Sequence, residues 1–115
     1  MKYLLTIYAS EADEHKMPPE EIGKIIQAYG AYTDALIKAG VMQAAERLRP
    51  STDATSVRVR SGKTEVLNGP YAETREQLGG YYLIDVPDLD AALSWAARCP
   101  SSSHGTIEVR PIWEM

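Results

Sequence analysis

The chain has 115 residues, the size of one domain, and its 44% hydrophobic and 24% charged residues are ordinary for a globular protein that buries its own core. Its formal net charge is −4 and its Lys and Arg residues form no cluster, which argues against a nucleic-acid or membrane partner. The single cysteine, Cys99, excludes an internal disulfide and a cysteine-based metal site. We therefore expect one cytoplasmic domain over residues 1–115, without a metal or other cofactor.

The N-terminal third is predicted to form a strand, a loop and a long helix. Residues 2–8 are largely apolar on both alternating faces, so we expect a strand that is covered on both sides. A polar loop follows over residues 9–17. Pro18-Pro19-Glu20-Glu21 indicates a helix start and Gly40 its end. The predicted buried stripe of this helix has helical spacing: Ile22, Ile25, Ile26, Tyr29, Tyr32, Thr33, Leu36 and Ile37.

The middle of the chain is predicted to be a run of strands. A weak strand over residues 41–48 leads into a loop over residues 50–54. Val57 and Val59 then alternate with polar side chains, as in a half-exposed strand. Ser61-Gly62-Lys63 indicates the turn of a β-hairpin.

A second two-faced strand follows the hairpin. Asn68-Gly69-Pro70 indicates a turn, and residues 73–78 are compatible with one turn of helix. Gly79-Gly80 suggests a bend or bulge. Residues 80–86 are apolar on both faces and predict a strand that cannot leave one face in water.

The C-terminal third is predicted to hold a second helix and a last strand. Asp88 is the expected N-cap, and Cys99-Pro100 is the expected stop. A loop over residues 101–105 and a strand over residues 106–112 complete the chain. The predicted buried stripe of the helix is Leu89, Ala92, Leu93 and Ala96.

Without the hairpin, the order of elements is β-α-β-β-α-β, which predicts a ferredoxin-like α+β fold with an inserted β-hairpin. Both helices are then expected on one face of an antiparallel sheet. The other face would carry Tyr3, Leu5 and Ile7 with Tyr81 and Leu83, or their alternates. Such an apolar patch exceeds what a monomer usually exposes, so we expect a homodimer whose two sheets pack together as a dimeric α+β barrel.

One continuous stretch carries a family resemblance: Asn68-Gly69-Pro70-Tyr71-Ala72-Glu73-Thr74-Arg75-Glu76-Gln77-Leu78-Gly79-Gly80-Tyr81-Tyr82-Leu83-Ile84-Asp85-Val86. It resembles the signature of the DGPF subgroup of YCII-related proteins, with Asn68 and Tyr71 in place of its Asp and Phe. Residues 88–100 and the ending Glu108-Val109-Arg110-Pro111 are similar to the same family. The resemblance covers nearly the whole chain.

The resemblance implies a dimeric α+β barrel, in agreement with the order of elements. In the wider YCII group, enzymatic activity is suspected from a His-Asp pair near the dimer cleft. The family histidine would fall near Tyr29 in this chain, whose first long helix contains no histidine. The DGPF resemblance also implies an association with extracytoplasmic-function sigma factors.

Asp85 is the candidate catalytic residue. It lies on an otherwise apolar strand and would share a face with Tyr81 and Leu83, where a carboxylate needs a partner such as Arg110 or Arg58. In a cleft, such a carboxylate would act as a general base. The alternative is a solvated carboxylate at a strand end.

Tyr29 and Tyr32 are the other candidate ligand-binding residues, together with Asp85 and Arg110. Buried tyrosine hydroxyls need partners, so these two either line a pocket between helix and sheet or belong to the core with a hydrated tip. His104, after three serines, lacks the oriented third group of a nucleophilic site and is expected in a loop.

Two functional hypotheses follow, and a scaffold that has lost its activity is a third possibility. The first is a small homodimeric protein that binds a small molecule in a helix–sheet cleft, with enzymatic activity left open. The second is a non-catalytic interaction or regulatory module associated with an extracytoplasmic-function sigma factor system. A deep pocket holding Asp85 close to Tyr29 would favour the first hypothesis.

Overall fold

The computed structural model describes all 115 residues. Its strands and helices follow in the order β1 (Lys2–Ala9), α1 (Glu11–His15), α2 (Pro19–Lys38), β2 (Met42–Arg47), β3 (Thr55–Arg60), β4 (Lys63–Asn68), β5 (Gln77–Asp85), α3 (Leu89–Arg98) and β6 (Thr106–Pro111). Short 3-10 turns occupy Ser51–Asp53 and Pro100–Ser103.

The main sheet has four strands in the order β2-β5-β1-β6, and every neighbouring pair is antiparallel. This is the strand order of a ferredoxin-like fold, so the predicted α+β class is confirmed. The remaining strands, β3 and β4, form the predicted hairpin as a separate two-stranded sheet. The insertion leaves the order of the main sheet intact.

The core lies between the sheet and the helices α2 and α3. Leu5 and Tyr82 are paired across β1 and β5 and are both buried, as are Tyr3 and Ile84. From the helices, Tyr32, Leu36, Ala92 and Ala96 join the same cluster. Both long helices therefore cover one face of the sheet, as predicted.

The opposite face of the sheet, called the open face below, has no helix over it. Leu4 pairs with Leu83 and Thr6 pairs with Tyr81, and all four side chains are partly exposed. Tyr8 continues the same row. The prediction that Tyr3, Leu5 and Ile7 share a face with Tyr81 and Leu83 is therefore wrong. The β1 residues on that face are one position along, at Leu4, Thr6 and Tyr8.

The double glycine does make a β-bulge. Ile7 opposes Gly80 and Tyr8 opposes Leu78, so Gly79 is the extra residue on β5. Gly80 also allows β2 to approach closely, since a Cβ there would lie 2.8 Å from the carbonyl oxygen of Glu46. The helical turn predicted over residues 73–78 is wrong, because bends occupy this stretch and β5 already begins at Gln77.

Two other loops contain more structure than expected. The predicted polar loop over residues 9–17 contains α1, because the Ser10 side chain caps it by accepting a hydrogen bond from the Asp13 N–H. The predicted loop over residues 101–105 begins with a 3-10 turn.

The second long helix is capped as predicted, but its buried stripe contains fewer residues than predicted. Asp88 accepts a hydrogen bond from the Ala91 N–H at 2.9 Å. Ala92 and Ala96 are buried, whereas Leu89 and Leu93 are about half exposed. The predicted burial of the two leucines is wrong, because α3 meets the sheet through its alanines.

The hairpin has an apolar face that nothing covers. Val57 is paired with Val66, and Val59 follows on the same side. These valines are 66%, 63% and 58% exposed, respectively, so the apolar side of the predicted half-exposed strand is not buried in the single chain. The radius of gyration is 16.1 Å, against about 13 Å for a compact domain of this length. The hairpin thus projects from the body.

Candidate functional site

A cleft of about 750 Å³ lies between α2 and one half of the sheet. Tyr32 and Leu36, in the C-terminal half of α2, are buried against the sheet. Ile22 and Ile26, two to three turns earlier on the side that faces the sheet, remain 39% and 56% exposed. The N-terminal half of α2 therefore stands away from β2 and β5, and the cleft fills the space between them.

Hydroxyl groups line the inner surface of this cleft. The Tyr29 hydroxyl lies 2.5 Å from the Ser101 Oγ and 3.5 Å from the Cys99 Sγ. The Thr33 Oγ1 lies 2.8 Å from the Tyr82 hydroxyl. Four of these five residues line the cleft directly, and we call them the hydroxyl floor: Tyr29, Thr33, Tyr82 and Ser101.

Three different elements position the hydroxyl floor. Tyr29 and Thr33 are four residues apart on α2, so their side chains lie on one face of that helix. Tyr82 projects from β5 toward the helices. Ser101 is brought in by the 3-10 turn that begins after Cys99-Pro100 ends α3, and it is buried. The site therefore depends on how the two long helices sit on the sheet.

Burial keeps these groups protonated. It raises the pKa of Tyr29 and of Tyr82 above the ordinary value of 10.0, with hydrogen bonds from Ser101 and Thr33 only partly offsetting that effect. Burial likewise raises the pKa of the Cys99 thiol. At neutral pH the inner cleft therefore offers neutral hydrogen-bonding groups and no thiolate or tyrosinate.

The walls of the cleft are apolar and its rim is charged. The wall residues are Met17, Ile22, Ile25, Ile26, Met42 and Ala45. The charged and titratable lining residues are Glu11, Glu14, His15, Arg47 and Arg49, while Glu46 also borders the cleft but pairs with Tyr81 on the side of the open face. Two of these are already engaged, since Glu11 accepts hydrogen bonds from the Ser51 backbone and hydroxyl, and Arg49 contacts Asp53 at 3.0 Å.

Of the predicted site residues, only Tyr29 lies in the cleft. Tyr32 is a core residue whose hydroxyl donates to the Trp95 carbonyl oxygen at 2.8 Å, while its ring meets the Tyr82 ring edge-on at 5.2 Å. Its side chain is thus committed to packing.

Asp85 and Arg110 lie elsewhere. Asp85, at the end of β5, contacts the N-terminal amino group of Met1 at 3.1 Å, and both partners are largely solvated. Arg110 lies on β6, opposite Leu4 of the open face, and contacts Glu108 at 3.0 Å. The structure therefore does not bring Asp85 near Tyr29, and neither Arg110 nor Arg58 is its partner.

The sequence reasoning missed Ser101, Cys99 and Tyr82 as site residues. Thr33 was placed on the helix stripe without a role, although its spacing of four from Tyr29 is the one signal that pointed to a shared face. His104 is exposed and its Nδ1 lies 3.5 Å from the neighbouring Ser103 Oγ, a contact within one turn.

The structure contains no group of three or more His, Cys, Asp or Glu side chains placed to hold a metal ion. None of its helices has the length and apolar character needed to cross a membrane.

The comparisons with known proteins identify the family of the chain. The YCII-related domain family matches residues 1–115, and the chain belongs to that family. An uncharacterized protein of Rhizobium meliloti (strain 1021) is 37% identical to it over 114 residues, which cover 97% of this chain and 92% of the relative. The resemblance to YCII-related proteins inferred from residues 68–86 is confirmed.

Proposed function

We propose that this chain is a small-molecule-binding protein whose ligand occupies the cleft between α2 and the sheet. The carrying observation is the cleft itself, which has a volume of about 750 Å³, apolar walls and a few convergent hydroxyls. Ligand sites typically measure about 300–1,000 Å³ and combine apolar walls with a small number of placed polar groups. Here those polar groups come from the hydroxyl floor.

The hydroxyl floor suits orientation of a ligand better than proton abstraction. Because burial raises the pKa of Tyr29 and Tyr82, neither side chain is a base at neutral pH. Asp85, the carboxylate expected to act as a base, is outside the cleft. The proposal is therefore for binding, and any reaction would draw on the charged rim.

Thermal-shift screening against a broad metabolite library tests this proposal. Ala45 lines the cleft from β2, so Ala45→Phe should fill part of the space. Ala97, exposed on α3, provides the matched control Ala97→Phe. We expect compounds that stabilise the wild type and Ala97→Phe but not Ala45→Phe, because a ligand raises stability only when the native state binds it. A screen without stabilisers, or hits that stabilise Ala45→Phe equally, would contradict the proposal.

We also propose that the protein acts as a cytoplasmic homodimer. The open face carries Leu4, Tyr8, Tyr81 and Leu83 around the central Thr6, with Glu46, Glu108 and Arg110 on its edge strands, and no element of the same chain covers it. The valines of the projecting hairpin add a second uncovered apolar surface. Two copies packed sheet to sheet would cover the open faces at once, which is the arrangement of a dimeric α+β barrel.

A second candidate function is a non-catalytic interaction module, and the exposed valine face of the hairpin favours it. An isolated two-stranded ribbon is marginally stable, so an apolar ribbon face is expected to find a partner. By the DGPF resemblance, that partner would be an extracytoplasmic-function sigma factor. Co-sedimentation of the purified chain with a purified extracytoplasmic-function sigma factor, lost in Val57→Lys and kept in Lys63→Val, would support this function. No complex at micromolar concentrations would contradict it.

A further inference from the structure

The hydroxyl floor holds more protons than its internal hydrogen bonds use. Thr33 and Tyr82 carry two hydroxyl protons and share one hydrogen bond. Tyr29, Ser101 and Cys99 carry three protons and share two contacts, both to the Tyr29 oxygen. Each of these two sets of residues therefore has one proton left to donate, and neither set has another side-chain partner in the protein.

The inner cleft offers no charge to match these donors. None of the charged residues that line the cleft bonds to the hydroxyl floor: Glu11, Glu14, Glu46, Arg47 and Arg49. The inner groups stay neutral because burial favours their protonated forms. A carboxylate at the floor would lose its water without gaining a cation, and an ammonium would lose its water without gaining a carboxylate.

We propose that the ligand is an uncharged carbonyl compound, such as a ketone, ester or amide, whose oxygen accepts a hydrogen bond from the hydroxyl floor. This inference rests on the proposed function and adds the class of ligand to it. A carbonyl oxygen has two lone pairs and no proton, which complements spare O–H donors. The apolar remainder of the ligand packs against Ile22, Ile25 and Ile26.

Three probes of nearly equal shape test the inference. Benzylacetone carries a ketone, hydrocinnamate carries a carboxylate at the same place, and butylbenzene carries no oxygen. Binding is followed by NMR titration of isoleucine methyl groups. Ile22 and Ile26 report on the cleft, and Ile112, beyond the end of β6, reports on non-specific binding.

We expect benzylacetone to shift the Ile22 and Ile26 signals with an affinity about fivefold or more above that of the other two probes, as one hydrogen bond would give. Tyr82→Phe combined with Thr33→Val, or Tyr29→Phe combined with Ser101→Ala, should remove this advantage, because each double variant removes both hydroxyl groups of one pair. Ser102→Ala should keep it, because Ser102 belongs to the same turn but is exposed and bonds to the Ala97 carbonyl. The two cleft variants remove different donors, so a folding defect in one leaves the other to decide.

The remaining outcomes separate this inference from the proposed function. Equal shifts of Ile22 and Ile26 with all three probes would overturn the carbonyl inference while leaving ligand binding in the cleft intact. An unchanged preference for benzylacetone in both double variants, Tyr82→Phe with Thr33→Val and Tyr29→Phe with Ser101→Ala, would also overturn it. Shifts at none of the cleft methyl groups would overturn the inference and count against the proposed function as well.

Discussion

The Tyr29 hydroxyl oxygen lies 2.5 Å from the Ser101 Oγ, and this contact fastens the middle of α2 to the turn that follows α3. Leu36, beyond this point on the helix, is fully buried against the sheet. Ile22 and Ile26, before it, are exposed to the cleft. The Tyr29–Ser101 contact therefore marks the point where α2 leaves the sheet and the cleft begins.

Removing the Tyr29 hydroxyl should weaken the fold. Tyr29→Phe leaves the buried Ser101 hydroxyl without its partner, which costs about 1–3 kcal/mol of unfolding free energy. Tyr71→Phe is the matched control, because Tyr71 is 76% exposed and should change stability by less than about 0.5 kcal/mol. Urea unfolding measures both. Equal stability of the two variants would contradict the role given to this contact.

Stability should fall on the alkaline side of neutrality. Burial raises the pKa of Cys99 above 9.0 and that of Tyr29 and Tyr82 above 10.0, so the folded state keeps protons that the unfolded chain loses. This contribution is complete below the unfolded pKa values and is lost as the pH rises past them toward the folded ones.

The slope of that loss is measurable. Each group contributes at most about 1.4 kcal/mol per pH unit. Urea unfolding at a series of alkaline pH values should show a shallower slope for Tyr82→Phe than for the wild type. A wild-type stability that stays constant through the pKa of free tyrosine would contradict the burial of these groups.

The effect of Gly→Ala substitutions on stability should depend on their position. Gly80→Ala and Gly105→Ala should each destabilise the protein by more than about 1 kcal/mol. The new Cβ at position 80 would clash with the carbonyl oxygen of Glu46, and the one at position 105 would clash with the carbonyl oxygen of Tyr8. Gly23 and Gly30 are in α2 with no atom near the position of a Cβ. Alanine there should stabilise by about 1 kcal/mol. Thermal unfolding of the four variants checks this order of stabilities. A destabilised Gly23→Ala would show that another element or another chain packs against α2 at Gly23.

Substitutions of Asp85 and Asp88 should differ sharply in their cost in stability. Asp85→Asn breaks only a solvated contact with the N-terminal amino group and should cost less than about 1 kcal/mol, with ligand binding unchanged. Asp88→Ala removes the cap of α3 and should cost about 0.5–2 kcal/mol. Denaturant unfolding compares them. Loss of ligand stabilisation in Asp85→Asn alone would restore Asp85 as a site residue.

The proposed dimer should depend on Leu83. Leu83→Glu places a carboxylate in the open face and should give single chains in sedimentation velocity at micromolar concentration. Leu93→Glu, about half exposed on α3, should leave the assembly intact. A wild type that sediments as a single chain would rule out the dimer.

The order of elements was predictable because local chemistry sets it. Asp88 caps α3, Gly79 makes the bulge and Ser61-Gly62 turns the hairpin, and each of these is a short-range signal. The register between β1 and β5 was not predictable, because both faces of both strands are largely apolar. A slip of one residue then changes which side chains share a face without breaking either pattern.

The cleft was less predictable than the fold. Ile22 and Ile26 have the same helical periodicity as Leu36, and periodicity reports the side of a helix, not its distance from the sheet. Ser101 is buried while Ser102 and Ser103 are exposed, a difference set by one 3-10 turn. The partner of Asp85 is a chain terminus, which no side-chain pattern displays.

The most direct test of ligand binding in the cleft is a crystal structure of the protein with a stabilising compound from the library screen. The account predicts that the compound lies between α2 and β2, with its apolar part against Ile22 and Ile26 and its polar end at Tyr29 and Ser101. A compound bound elsewhere, with the cleft filled by side chains of a neighbouring copy, would contradict it.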